Sequence, residues 1–275
     1  MNKGQNAAGV AVVREVPLLE KFDAPLPVWI SDIEAEVSAR ISSALFARLL
    51  YKGDVEVARA LCVGLWPFIN EFPKIVSRGK LRLARLRLIR AFKPGELREL
   101  LRRSAKVLET IQQDEEEHRY LWLRVGKAIG LQYPEQFSQY PLPAVKAWIE
   151  AVDQLADPLT MFLRFAAIEV VGEATSLYLL TSPRFCEMLG KNEGLKWFKE
   201  HATHSGDMSH AELSLRLGFA LHDPEDWKPT RAKCNTFIQD IVGHAISATN
   251  ACLALVKGGS VFSRLLQALD RHISH

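Results

Sequence analysis

The stretch DPLTMFLRFAAIEVVGEATSLYLL, residues 157–180, decides the fold class. Asp157 followed by Pro158 is a strong helix start: a carboxylate at the cap accepts a backbone N–H, and proline at the first helical position lacks an N–H that the helix does not use. From Leu159 to Leu180 the residues are almost wholly apolar. A helix that is apolar all round belongs at the centre of a bundle.

Outward from it, the rest of the chain also reads as helix. Ser31-Asp32-Ile33-Glu34 has the form of a capping box, opening a helix that runs to about Tyr51 and stops near Gly53. A second helix starts at Asp54 and continues towards Ser77, bent or interrupted at Pro67 and Pro73. Lys93-Pro94-Gly95 is a break, after which a long helix runs from Glu96 to about Gly130. A Pro-containing connection with a short helix, Val145 to Asp153, leads to the central helix. Another helix spans roughly Glu193 to Leu217, and the last runs from near Thr230 to Gly258-Gly259. Strand-type alternation of any useful length is absent. The expectation is an all-α bundle of about seven main helices, with residues 1–28 a loosely ordered lead and 29–275 a single domain.

Composition excludes several classes of function. A net charge of +3 is too small to imply a polyanionic partner, so no nucleic-acid partner is expected. No apolar run is long and uncharged enough to cross a membrane, and no signal peptide is evident. The four cysteines, Cys62, Cys186, Cys234 and Cys252, are widely spaced and suit reduced thiols in the cytoplasm. Phosphate-binding glycine loops and a serine elbow are missing. One segment stands apart: residues 78–93 carry seven basic side chains and no acid. It reads as a solvated cationic helix face, or as a surface for a membrane, an acidic partner or a reductase.

The informative residues are polar ones on apolar faces. In the helix after Glu96 the stripe Leu97, Leu101, Ala105, Leu108, Ile111, Trp122, Val125 passes through Glu115 and His118, which are three apart and share one face. In the central helix Glu173 interrupts the line Phe162, Ala166, Val170, Leu177, and Glu169 lies one turn earlier on an adjacent line. The segment His201-Ala-Thr-His204-Ser-Gly-Asp207-Met-Ser-His210 carries three histidines and an aspartate, and Glu71 sits among Trp66, Phe68, Ile69 and Phe72. Four separate segments thus offer carboxylate or imidazole to one interior. Oxygen and nitrogen ligands without thiolate suit iron or manganese. In carboxylate-bridged bundles two ions are held by Glu residues and Glu-x-x-His pairs. Glu115-x-x-His118 is such a pair, and Asp207-x-x-His210 is a shorter analogue.

With these residues the chain resembles the haem-oxygenase-like di-metal oxidases. Glu71-Phe72-Pro73-Lys74 is similar to a Glu-x-Phe-Pro stretch on an early core helix, and Glu115-x-x-His118 followed by Trp122 resembles the next ligand helix. Ile168 to Ser176, containing Glu173, resembles the helix of the third carboxylate. The steps of 55 residues from His118 to Glu173, and of 34 and 37 from there to Asp207 and His210, also fit. The family's last ligand helix reads His-x-x-x-Asp-x-x-His, which would place a histidine where Thr203 stands; His204 or His201 takes that part here.

The resemblance implies a seven-helix haem-oxygenase-like bundle that binds two irons, or a manganese–iron pair, and reduces dioxygen to a peroxo-di-iron species. Glu115 and His118 would anchor one metal, Glu173 would bridge or chelate, and His204, Asp207 and His210 would complete the pair, with Glu71 a flexible ligand of the second metal. Glu115, His118 and Glu173 would form the catalytic core. The substrate by analogy is an amino acid or fatty acid, or the enzyme's own side chains in making p-aminobenzoate. An external electron donor and a homodimer are compatible with this reading. Three alternatives stand beside it: a ferritin-like di-metal protein, a cofactorless oxidase of the pyrroloquinoline-quinone-synthase type, and a non-enzymatic protein using the basic segment.

Overall fold

In the computed structural model of the chain, the Asp157 carboxylate accepts the Thr160 N–H at 3.0 Å and the Thr160 hydroxyl at 2.6 Å, with Pro158 in the first turn. The structure describes residues 18–85, 94–131, 141–154, 157–190, 193–203, 209–221 and 231–257. Among them are eleven helices: α1 Leu18–Asp23, α2 Trp29–Ser43, α3 Leu45–Tyr51, α4 Val55–Arg85, α5 Pro94–Ala128, α6 Pro143–Asp153, α7 Pro158–Leu180, α8 Pro183–Leu189, α9 Lys196–Ala202, α10 His210–Leu221 and α11 Arg231–Lys257. Seven of these run for eleven residues or more, and no strand occurs among the described residues. None of them is long and apolar enough to cross a membrane.

The apolar helix is the axis of the molecule. Every residue of α7 from Leu159 to Ala167 is buried, and α2, α9, α10 and α11 pack around it. Beside this layer α4 lies against α5. The Trp122 indole donates to the Cys62 carbonyl at 2.9 Å and the Arg59 guanidinium to the Ile129 carbonyl at 2.8 Å. These two bonds pair early residues of α4 with Trp122, late in α5, and with Ile129, just beyond its end, so the helices run antiparallel.

Several boundaries differ from the sequence reading, each because packing outweighs local propensity. The capping box at Ser31 does not form. Helix α2 begins two residues earlier, and the Ser31 hydroxyl donates to the Val28 carbonyl at 2.7 Å instead. Burial of Ile30 and the contact of Trp29 with Phe219 hold that first turn. The expected single helix from residue 31 to 51 is split at Ala44, whose backbone is extended, so that Phe46, Ala47 and Leu50 of α3 turn into the core. Neither Pro67 nor Pro73 interrupts α4. Proline inside a helix costs about 3 kcal/mol, but Trp66, Phe68, Phe72 and Ile75 are all buried along this run and anchor both sides of each proline. The helix expected over 193–217 is two, α9 and α10, the latter opened by Ser209, whose hydroxyl accepts the Glu212 N–H at 3.0 Å.

Within the segment read as a loose lead, α1 packs on α5 and α10 with Phe22 buried. Arg216 ties it down by donating to the Phe22 and Ala24 carbonyls. Only the first part of the basic segment falls in the described residues. There Arg78 binds Asp153 and Glu71, Lys80 reaches Gln112 at 3.4 Å, and Leu83 is buried. This part of the segment is a helix face tied to its neighbours.

Helices α4 and α11 meet at Gly64, where a Cβ would run into the Cys252 side chain. Gly64→Ala should therefore destabilise the fold by about 1–3 kcal/mol, the usual cost of overpacking, and Cys252→Ala in the same chain should restore most of it. Urea unfolding of the two single variants and the double variant checks this; equal and additive losses would show that the helices do not meet at this point.

Candidate functional site

Glu115 is an almost fully buried carboxylate, at 8% exposure. Its place follows from the register of α5. Leu97, Leu101, Leu108, Ile111, Trp122 and Val125 are all buried as expected, although Ser104 rather than Ala105 takes the inward position in the second turn. The acidic run around Glu115 divides as helical geometry demands: Glu115 faces inward, while Glu116 and Glu117 face solvent.

Around Glu115 gather four more groups, one from its own helix and one from each of three others. One ligand atom each from Glu115, His118 and His201 lie within 4.8 Å of one another, and so do one each from Glu115, Glu169 and His210. Glu115 is common to both sets. His118 Nδ1 is 3.1 Å from Glu115 Oε1. His201 Nδ1 is 2.8 Å from the Trp197 carbonyl, which can only accept, so Nδ1 carries the proton and Nε2 keeps its lone pair. His210 Nε2 lies 3.1 Å from an Asp114 oxygen, and its Nδ1 faces Glu169 Oε1 at 3.7 Å. Glu169 Oε1 is buried and has no hydrogen-bond partner.

The electrostatics divide the three histidines. Burial opposes charging of His210, but Glu169 and then Glu115 and Asp114 outweigh it and raise its pKa to about 9. Burial likewise disfavours the His118 cation, and Glu115 beside it wins, so its pKa is also raised. His201 has no such partner in contact: burial and the neighbouring His118 push it down to about 3, leaving it neutral. For the acids, burial raises Glu115, whereas burial of Glu169 is outweighed by the neighbouring His210, with His201 and His118 adding to it, so that its pKa is lowered. Two carboxylates and two protonable imidazoles thus balance one another inside the bundle.

An apolar cavity of about 110 Å³ opens onto this cluster. Leu61, Leu65, Phe68, Phe72 and Trp148 form much of its wall, and the Phe68 and Trp148 rings stack at 3.6 Å. Among the described residues, Glu115, Glu169 and His201 are its only ionisable lining residues.

Of the residues singled out in the sequence, Glu115, His118, His201 and His210 come together here. His204 and Asp207 lie outside the described residues. Glu71 does not join: Lys74 at 2.9 Å and Arg78 at 3.1 Å hold it in an ion-pair network at the edge of the bundle. Glu173 is not in the cluster either. It lines a separate cleft of α2 and α7 with Glu34 and Ser38, and its charge, after burial, raises the Glu34 pKa. Glu169 takes the place expected of Glu173. One helical turn further on, a rotation of about 40° and a rise of about 6 Å carry Glu173 past the histidines and over α2. Both glutamates stand out equally in an apolar helix; only the neighbours of α7 distinguish them.

No protein-family model matches this sequence, and neither does any curated protein. Among solved structures, a TenA homologue from Pseudomonas syringae pv. tomato strain DC3000 superposes with a TM-score of 0.64. Identity is 18%, over 88% of this chain and 98% of that one. The chain has the haem-oxygenase-like fold. This connectivity, and not that of a ferritin-like bundle, brings α5, α7, α9 and α10 around the cluster, and at this identity the likeness concerns the fold alone.

His210 yields a test in the ion-free protein. Its folded pKa of about 9 exceeds the ordinary 6.5, so its stabilising contribution is complete below pH 6.5 and is lost as pH rises through 9. The stability gap between wild type and His210→Gln should shrink between these values, as followed by thermal melts in chelator. A gap independent of pH would contradict the pairing with Glu169 and Asp114.

Proposed function

We propose that the chain is a non-haem di-metal oxidoreductase, binding two iron ions between α5, α7, α9 and α10 and using dioxygen to oxidise an apolar small molecule. The observation that carries this reading is the sharing of Glu115 between two groups of ligand atoms, each within 4.8 Å. A carboxylate has two oxygens, so one such residue between two sets of nitrogen and oxygen donors suits a pair of bridged ions. The orphaned Glu169 oxygen fits as well. A buried acceptor without a partner costs about 1–3 kcal/mol, and a cation removes that cost.

In this arrangement Glu115, His118 and His201 would hold one ion, and Glu115, Glu169 and His210 the other. Asp207 and His204, which lie outside the described residues, would be further ligands, and Glu71 and Glu173 would take no part. Bound ferrous ions would supply the electrons and the Lewis acidity that side chains lack. The protein contributes orientation: the Trp197 carbonyl fixes the tautomer of His201 and the Asp114 carboxylate that of His210, as partners of metal-binding imidazoles do. The aromatic wall excludes water and holds the substrate.

No lysine or arginine lines the cavity among the described residues. A charged head group would therefore have to face the ions themselves, with the apolar remainder along Phe68, Phe72 and Trp148. Between the two substrate classes expected, this favours a fatty acid or similar apolar chain over an amino acid. It also weighs against a cofactorless oxidase, which would set several arginines and histidines around an organic acid. Electrons for turnover would come from an external donor.

Anaerobic Fe(II) titration of the apoprotein should reach two ions per chain, and exposure to dioxygen with a fatty acid should consume oxygen. Glu115→Ala or His118→Ala should reduce oxygen consumption to background with the helical content unchanged. Full iron loading in either variant would remove the proposed centre. Glu169→Leu should abolish iron binding and destabilise the apoprotein by about 1–3 kcal/mol, because the buried His210 imidazole loses the carboxylate that favours its protonation. Intact iron binding in this variant would reverse that assignment.

A further inference from the structure

His201 belongs to a helix of seven residues, and its ring is held from several sides. Trp197 lies at 3.9 Å between ring centroids and His118 at 4.3 Å. The third contact is with the backbone of α7 at Gly172. A Cβ built there would stand 2.8 Å from His201 Cδ2, 3.5 Å from Nε2 and 3.7 Å from Cγ. Carbon atoms do not approach to 2.8 Å without something shifting, and the threatened edge of the imidazole is the one carrying the free nitrogen. Nδ1 is already engaged with the Trp197 carbonyl, so the ring cannot turn over without giving up that bond. Glycine in mid-helix otherwise costs about 1 kcal/mol relative to alanine, and nothing about the backbone of α7 calls for it, since Gly172 has no positive φ.

We infer that Gly172 is a positioning residue of the metal centre: its missing side chain admits the His201 imidazole against α7 with Nε2 directed at the same ion as His118. The inference rests on the di-metal reading above. It predicts that in Gly172→Ala the new methyl displaces the ligand, a loss that the helix propensity of alanine only partly offsets. The ion held by His118 and His201 should bind about tenfold weaker or worse, and the apoprotein should melt lower, an effect that disappears when His201 is also alanine. The other ion, with Glu169 and His210, should be retained.

The test uses Fe(II) for stoichiometry and Co(II) for its ligand-field absorption, on wild type, Gly172→Ala, His201→Ala and the double variant. The expected result is two ions in wild type, one tight ion with an altered Co(II) spectrum in Gly172→Ala, and no further change when Gly172→Ala is added to His201→Ala. A Gly172→Ala protein with two tight ions and an unchanged spectrum overturns the role of Gly172 and leaves the centre standing. A wild type that binds no ion overturns the centre itself. Should Gly172→Ala fail to fold, the double variant decides: without the ring that the Cβ meets it should fold and bind as His201→Ala does, and its failure would overturn the inference.

Discussion

Two carboxylates, Glu115 and Glu169, face one another inside a bundle whose other buried groups are almost all apolar, and the architecture around them answers that constraint. An unpaired carboxylate in such a place protonates or acquires a cation. The chain supplies cations of its own, His118 beside Glu115 and His210 beside Glu169, and both imidazoles are consequently easier to protonate than usual. Without ions each imidazole offsets the carboxylate beside it. In the proposed centre a metal would take the imidazole lone pairs, so loading would release any protons held there, and the same pairs would compete with its ligands. His201 stands outside this balance, neutral and with one nitrogen uncommitted.

The long helices α5 and α7 bear the acids, and this is a matter of rigidity. Positions flanked by several turns of buried residues cannot shift to find a partner, so Glu115 and Glu169 are fixed by Leu108, Ile111 and Trp122 on one helix and by Phe162, Phe165 and Ala166 on the other. The imidazoles fit around them. The cavity adds to the effect, since its apolar lining leaves the cluster in a medium of low dielectric, where every charge interaction is stronger than in water.

How much of this could be read from the sequence depends on the range of the interaction. The central helix was legible from residues 157–180, because an N-cap, an N1 proline and unbroken apolarity are local signals. Glu115 and His118 were legible too, as a polar pair on a stripe with a clear helical period. The separation of Glu169 from Glu173 was not, since both interrupt the same apolar helix and the choice lies with α2, α9 and α10, which touch them from elsewhere in the chain. Glu71 misled for a related reason. Its neighbours Phe68 and Phe72 are buried, but a residue between them points along another side of the helix, where Lys74 and Arg78 one and two turns later capture it. The capping signal at Ser31 failed because Trp29 and Ile30 gain more by packing than Ser31 does by capping.

Helix α9 is too short to be stable on its own account, and what places it is aromatic packing: Trp197 meets the Trp122 ring at 5.0 Å, and Phe198 meets Phe185 at 4.9 Å. His201 follows one turn after Trp197 and inherits its position from these contacts. Trp197, Phe198 and His201 are also part of the cavity wall. The ring that would bind an ion and the rings that would bind a substrate are therefore fixed by one set of contacts. A molecule that displaced Trp197 would move the His201 carbonyl partner with it, and an ion that drew His201 inward would reshape the cavity. Occupancy of the cavity and the geometry of the proposed metal centre would thus be coupled through a single turn of helix, with Gly172 as the surface against which that turn is set.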